Sequence, residues 1–184
     1  MNPKTEINKI LLTTNWYVIR TRHNCENKLV NTLTKAGIQA EAPMYTTIRQ
    51  WSDRKKKCTL PLLNSIVFVH TTEKELNQLY QFNHVNGILK DLGKPAVVRD
   101  EEMETLRCIA REWSGEKVTE LESGEQFEPG DTVKVLRGPF KGVIGELIDL
   151  KGKHKVRVVL KALDVQFAIA ISKAQVQKLA AEKT

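Results

Sequence analysis

Between residues 127 and 147 apolar and polar residues alternate around turns that need Gly or Pro, in the run Phe-Glu-Pro-Gly-Asp-Thr-Val-Lys-Val-Leu-Arg-Gly-Pro-Phe-Lys-Gly-Val-Ile-Gly-Glu-Leu. Successive side chains of a strand point to opposite faces, so Val133 and Val135 share one face. Pro129-Gly130 is a turn into that strand and Arg137-Gly138-Pro139 a turn out of it. Gly142 and Gly145 punctuate a second short strand.

The first two-thirds of the chain has a different rhythm. Asn15-Trp16-Tyr17-Val18-Ile19-Arg20 is aromatic and β-branched, which predicts a strand. Leu29, Leu33 and Ala36 then recur at helical spacing, with Asn24 placed to cap the helix and Gly37 to end it. Residues 38–48 read as extended, with Pro43 marking an edge. Ser52 to Lys57 reads as the charged tip of a hairpin, and Ile66-Val67-Phe68-Val69 as a buried strand. The spacing predicts a short helix over 73–82, whose Glu73 and Glu75 suit the positive end of its dipole. A strand at Ala96-Val97-Val98 precedes a last helix, with Asp100 as its expected N-cap and Met103, Leu106 and Ala110 on one face. The order β-α-β-β-β-α-β-α predicts an α+β domain built on a largely antiparallel sheet.

Charge divides the chain at the same place. Residues 1–113 carry 17 basic and 12 acidic side chains and residues 127–184 carry 11 and 6, whereas residues 114–126 carry one Lys against four Glu. The acidic stretch has little to bury and reads as a linker, which would span about 20 Å if flexible. The expected domains are therefore 1–113 and 127–184. The net charge of +7 favours a polyanionic partner. The three cysteines are widely spaced and the four histidines scattered, so neither a disulfide framework nor a metal site is expected. No nucleotide-binding loop or nucleophile motif is present, and no enzyme or cofactor is expected. No stretch approaches the roughly 18 apolar residues of a membrane span, so a cytoplasmic location is expected, with no membrane partner.

The run at 127–147 resembles the KOW motif of small SH3-like barrels, with Gly130, Gly138, Phe140, Gly142 and Gly145 in the motif positions. The whole layout over residues 15–179 resembles the NusG family of transcription elongation factors, which join an N-terminal NGN domain to a C-terminal KOW domain. Trp16-Tyr17-Val18, Glu26-Asn27-Lys28, Val85-Asn86-Gly87-Ile88, Gly93-Lys94-Pro95 and Asp100-Glu101-Glu102-Met103 fall in the family's order. Gly37 to Met44 resembles RfaH-like proteins, and Gly-Lys-Pro-Ala-Val-Val resembles the UpxY-type regulators of capsular polysaccharide operons. One departure stands out: Leu63-Asn64-Ser65-Ile66 replaces the family's usual Phe-Pro-Gly-Tyr.

The resemblance implies a monomeric antitermination factor that binds the clamp of RNA polymerase on specific long operons. Housekeeping elongation and a ribosome- or RNA-binding role are the alternatives. Tyr17, Leu63, Ile66 and Phe68 align with the apolar surface that meets the clamp, although Ile66 and Phe68 serve equally well as core. Arg22, His23 and Lys28 align with a connection that faces non-template DNA in specialised relatives, or form a solvated helix start. Arg54, Lys55, Lys56 and Lys57 would contact upstream duplex DNA, or form a solvated turn. Leu163 takes a position where the family usually carries a Phe that contacts ribosomal protein S10 or Rho. Lys151, Lys153, His154, Lys155 and Arg157 form a second basic cluster, read mainly as a solvated hairpin.

Overall fold

A computed structural model describes residues 13–50, 54–113, 118–121, 130–150, 153–160, 163, 165–171 and 175–179 of the chain. The chain folds as two compact units, Met1–Met44 with Pro61–Met103 and Tyr45–Leu60 with Glu104–Thr184.

The first unit is organised by β1 (Thr14–Thr21), which sits inside an antiparallel sheet. On one side it pairs with β5 (Ile66–Thr72), and β5 pairs in turn with β2 (Gln39–Glu41). On the other side it pairs with β6 (Val85–Ile88) and, nearer its start, with β9 (Val97–Val98). The alternation of β1 and β5 separates two apolar faces. Tyr17, Ile19, Val67 and Val69 form one core cluster with Leu29 and Leu33 of helix α1 (Glu26–Lys35). Trp16, Val18, Phe68 and His70 alternate onto the other face, where Val18 lies opposite Phe68 in the register.

Three local expectations change. Asn24 does not cap α1: it takes a left-handed φ of 56°, Cys25 occupies the cap position, and no side chain bonds there. The segment at 73–82 is a 3₁₀ helix, Glu73–Gln81, not an α-helix. Leu76, Leu79 and Phe82 pack on the core at a spacing of three, which matches the three residues per turn of that helix. Asp100 is not a cap but the first residue of α2 (Asp100–Arg111), and its carboxylate accepts the Trp16 indole N–H at 2.9 Å. Arg99 precedes the helix, and its backbone N–H donates to Glu102 at 2.9 Å. Between β6 and β9 a small hairpin of β7 (Lys90–Asp91) and β8 (Lys94–Pro95) carries Leu92 at its tip.

The second unit contains a free-standing two-stranded ribbon, β3 (Met44–Gln50) with β4 (Lys55–Pro61), and an all-strand sheet. Lys55, Lys56 and Lys57 are thus not the tip of a hairpin but the opening residues of a strand; Ser52 and Asp53 lie outside the described residues. Within the segment expected to be a linker, Val118–Leu121 form β10. The sheet runs β10, β14 (Val165–Ala170), β13 (Lys153–Leu160), β12 (Ile144–Leu150), β11 (Thr132–Val135), β15 (Val176–Lys178), all antiparallel. Val133, Val135, Val156, Val158 and Phe167 are buried, as the period-two pattern requires, and Phe140 is buried from the turn between β11 and β12. Trp113 packs at 4.9 Å from the Tyr45 ring and meets the Phe167 ring edge-on at 6.3 Å. Two glycines show why the motif needs them. Gly138 has a φ of +85° in the turn after β11, and a Cβ at Gly145 would lie 2.4 Å from the Arg157 carbonyl oxygen on the next strand. Gly130 and Gly142 flank the same hairpin, and Gly142 also has a positive φ. The architecture is the expected α+β plus all-β one: an N-terminal sheet with helices and a C-terminal all-strand region.

Candidate nucleic-acid interface

Three of the four described non-glycine residues with positive φ gather at the end of β1; the fourth, Leu92, is at the tip of the β7–β8 hairpin. The strand shifts register against β6 between Arg20 and Thr21, then turns through Arg22, His23 and Asn24 into α1. Two other loops meet it there. The Thr21 N–H donates to the Ser65 carbonyl at 2.9 Å, and the Thr21 hydroxyl donates to the His84 carbonyl at 2.8 Å. The Arg22 N–H also reaches the His84 carbonyl, at 3.2 Å. Glu26, buried at the start of α1, accepts the Ser65 N–H at 2.7 Å.

The conformations at this junction are costly. Asn24, Ser65 and His84 all take positive φ, at 56°, 59° and 78°. For an L-residue other than Gly that conformation costs about 1–2 kcal/mol, least for Asn. It persists only where the surroundings hold it, and such strain concentrates at functional sites. His84 adds a second anomaly. Its Nδ1 is buried and finds no hydrogen-bond partner within the protein, although buried polar groups are almost always bonded.

Beside this junction lies an open cleft of about 460 Å³, lined by Arg20, Thr21, Asn64, Ser65, Ile66 and Asn86. Asn64 and Asn86 each offer a carbonyl acceptor and an amide donor, and Arg20 offers a planar fork of donors. Such groups can bond the edge of an unpaired base and stack against its face.

The sequence-derived candidates divide on the structure. Arg22 and His23 are exposed in the turn whose backbone holds the junction, and Lys28 is exposed on α1; none of the three lines the cleft. Lys55, Lys56 and Lys57 are exposed on β4 of the ribbon, and Arg54 is exposed just before it. The four residues assigned to the clamp do not share a surface. Tyr17 belongs to the core on the α1 side, and burial pushes its hydroxyl pKa up, partly offset by the Asn15 side chain. Phe68 lies on the opposite face and is also buried, as is Leu63; Ile66 is partly accessible, at the cleft. Leu163 is half-buried, and Lys155 and Arg157 lie on β13, where Arg157 pairs with Glu146. Lys151 lies outside the described residues, as do the side chains of Lys153 and His154.

Arg20, Asn64, Ser65, His84 and Asn86 were not singled out as candidates from the sequence. One signal was available: Asn64-Ser65 is where the chain departs from the family's Phe-Pro-Gly-Tyr, and the two residues now form a wall of the cleft.

Among the described residues, no His, Cys, Asp or Glu groups gather to hold a metal ion, and no helix is long and apolar enough to cross a membrane. Burial pushes the Cys108 thiol pKa up, and the thiol donates to the Pro139 carbonyl, so it is a poor nucleophile.

Comparison with known proteins agrees with this layout. The family model described as transcription termination factor nusG matches residues 14–107, just over half of the chain. The KOW motif model matches residues 129–161. Similar solved structures include "Domain interaction in Thermotoga maritima NusG", at 23% identity and a TM-score of 0.48, covering 92% of this chain and 99% of that one. "Crystal Structure of MjSpt4:Spt5 complex conformation B" is 22% identical with a TM-score of 0.28, covering 92% and 99%. With one family model over the α+β part and the other over the all-β part, the chain belongs to the NusG family of transcription factors.

Proposed function

We propose that this chain is a non-enzymatic antitermination factor that rides on RNA polymerase and reads an unpaired base of the non-template strand in the cleft at the end of β1. The observation that carries the reading is the junction itself. Ser65, at positive φ, lines a cleft with Arg20, Asn64 and Asn86, and Thr21 of the same cleft bonds the carbonyl of His84, whose Nδ1 has no partner. In a member of a transcription-factor family, that chemistry suits an extruded base, with Arg22, His23 and Lys28 drawing in the flanking phosphates.

Residues 1–113 act as the polymerase-binding domain and 127–184 as the KOW domain, joined through 114–126. Ile66, the one accessible residue of the four, meets the clamp, with Leu63 and Phe68 buried beneath it. Tyr17 supports that surface from the core behind it. Binding one clamp conformation better than another disfavours pausing, because a ligand shifts an equilibrium only by its differential affinity. The basic ribbon contacts upstream duplex DNA, Leu163 meets ribosomal protein S10 or Rho, and the chain works as a cytoplasmic monomer. The UpxY-type resemblance favours a few long operons such as capsular polysaccharide loci over service on all genes.

A purified transcription assay tests this reading. Added protein should raise read-through on a long template whose non-template strand carries the cognate element. Asn64→Ala with Asn86→Ala should abolish the dependence on that element while polymerase retention in a pull-down survives. Equal read-through on every template, unchanged by the double substitution, would point to the housekeeping role instead.

A further inference from the structure

The ribbon β3–β4 stands apart from both larger sheets, and its two faces differ. Tyr45 and Thr47 on β3 and Cys58 and Leu60 on β4 are half-buried, and Tyr45 rests on Trp113. The alternate positions, Thr46, Ile48 and Gln50 on β3 with Lys55, Lys57 and Thr59 on β4, are exposed and make up the outer face; Lys56, at the start of β4, is exposed as well. Ile48 is 69% exposed at the middle of its strand. Neither strand contains a carboxylate, while together they carry Arg49, Lys55, Lys56 and Lys57.

We propose that the outer face of this ribbon enters the major groove of duplex DNA, with Ile48 packed on a thymine methyl, Gln50 at the base edges and Lys55 and Lys57 on the phosphates. This deepens the reading of the basic residues as duplex-binding groups and rests on it. The major groove of B-form DNA, about 12 Å wide, admits a two-stranded ribbon, and its base edges include the thymine methyl and the adenine pattern that an amide can pair. A seven-residue strand is roughly 23 Å long at about 3.3 Å per residue, enough to follow the groove across several base pairs. An isolated exposed Ile is ordinary on a surface. Its place here, centred on a carboxylate-free face between groups suited to base edges and phosphates, is what matches the groove. Double-stranded RNA is disfavoured as the occupant, because its major groove is too deep and narrow for side chains to read.

The experiment titrates the full-length protein against a short labelled duplex across a range of salt, without polymerase. Lys55→Ser with Lys57→Ser should lower the salt slope by about 2, near 0.9 for each phosphate that is no longer neutralised. Replacing thymine by uracil should weaken wild-type binding about fourfold, the effect of one methyl-sized group left in water, and should leave Ile48→Ala unaffected. Methyl green, which occupies the major groove, should compete, and netropsin, which occupies the minor groove, should not. These substitutions lie on exposed positions, and unchanged melting curves would confirm the fold. An unchanged salt slope, equal binding to double-stranded RNA, or the same uracil penalty in Ile48→Ala would each overturn the proposal. A polymerase pull-down separates the two readings: duplex binding as expected with no polymerase retained upholds the ribbon and overturns clamp docking alone.

Discussion

The two ends of β1 are both held by hydrogen bonds, but only the second is strained. At its start the polar groups are paired. The Trp16 indole donates to Asp100 and its ring lies 5.0 Å from that of His70, while Thr71 and Thr72 on the paired strand both bond Glu75. Glu75 accepts three hydrogen bonds, from the Thr71 hydroxyl at 2.7 Å, the Thr72 hydroxyl at 2.8 Å and the Thr72 N–H at 3.1 Å. At the end of the same strand, Asn24, Ser65 and His84 sit at left-handed φ, and a buried ring nitrogen has no partner. One end contributes stability, and the other holds backbone strain. A sheet that places both on one strand can anchor the strained end through the satisfied one.

The largest test of this contrast is at the satisfied end. Trp16→Ala removes a 4%-exposed aromatic and its bond to Asp100, and should destabilise the protein by about 3–5 kcal/mol in urea denaturation. A loss below ~1 kcal/mol would show that this end is not the anchor.

Asn64→Ala with Asn86→Ala should do the reverse. Unfolding free energy should stay within ~0.5 kcal/mol, because Asn64 and Asn86 are exposed cleft walls. Affinity for a single-stranded oligonucleotide carrying the preferred base should fall about tenfold, near 1.4 kcal/mol. An unaltered isotherm by fluorescence anisotropy would remove the cleft from the interface.

Glu75→Gln tests the satisfied end through pH. Hydrogen bonds from Thr71 and Thr72 hold the Glu75 carboxyl pKa below its usual value. A group depressed on folding adds stability that is present above the unfolded pKa of about 4.3 and is lost as pH falls through the folded pKa. Replacing this partner of the capping box should therefore cost about 1 kcal/mol at neutral pH. The gap between variant and parent should close as the solution is acidified. Because the side chain is exposed, solvent screening keeps the ionic part small. A gap independent of pH would assign the loss to geometry alone.

Ser65→Gly should give the smallest effect. Glycine takes positive φ without the steric penalty, so stability should rise slightly, by about 0.5 kcal/mol, while oligonucleotide affinity falls as the loop loosens. A gain in stability with no loss of binding would mean that the strain is not tied to the cleft.

Local chemistry was legible where a side chain answers to its own neighbours in sequence. The alternation of Val133 and Val135, the turn at Gly138 and the helical spacing of Leu29 and Leu33 all reappear in the structure. Period and turn geometry are properties of a few consecutive residues. Capping was less legible. Asn24 and Asp100 have good capping chemistry, yet one was taken by a left-handed turn and the other by an indole 84 positions away in sequence. The basic run at 54–57 was visible as charge, but its place on a strand depends on pairing with β3.

The sequence by itself determined the fold class, a sheet with helices followed by an all-strand C-terminal region, and the family, because these follow from periodicity, glycine spacing and motif order over many residues. Only the tertiary structure decided that Tyr17 and Phe68 lie on opposite faces of one sheet, since facing depends on register across β1 and β5. It alone brought Arg20, Asn64, His84 and Asn86 to one junction, from three segments that β-sheet pairing draws together. Long-range pairing leaves little trace in any short stretch of sequence, because each residue involved is locally an ordinary turn or strand end, and the strain arises only when the loops meet.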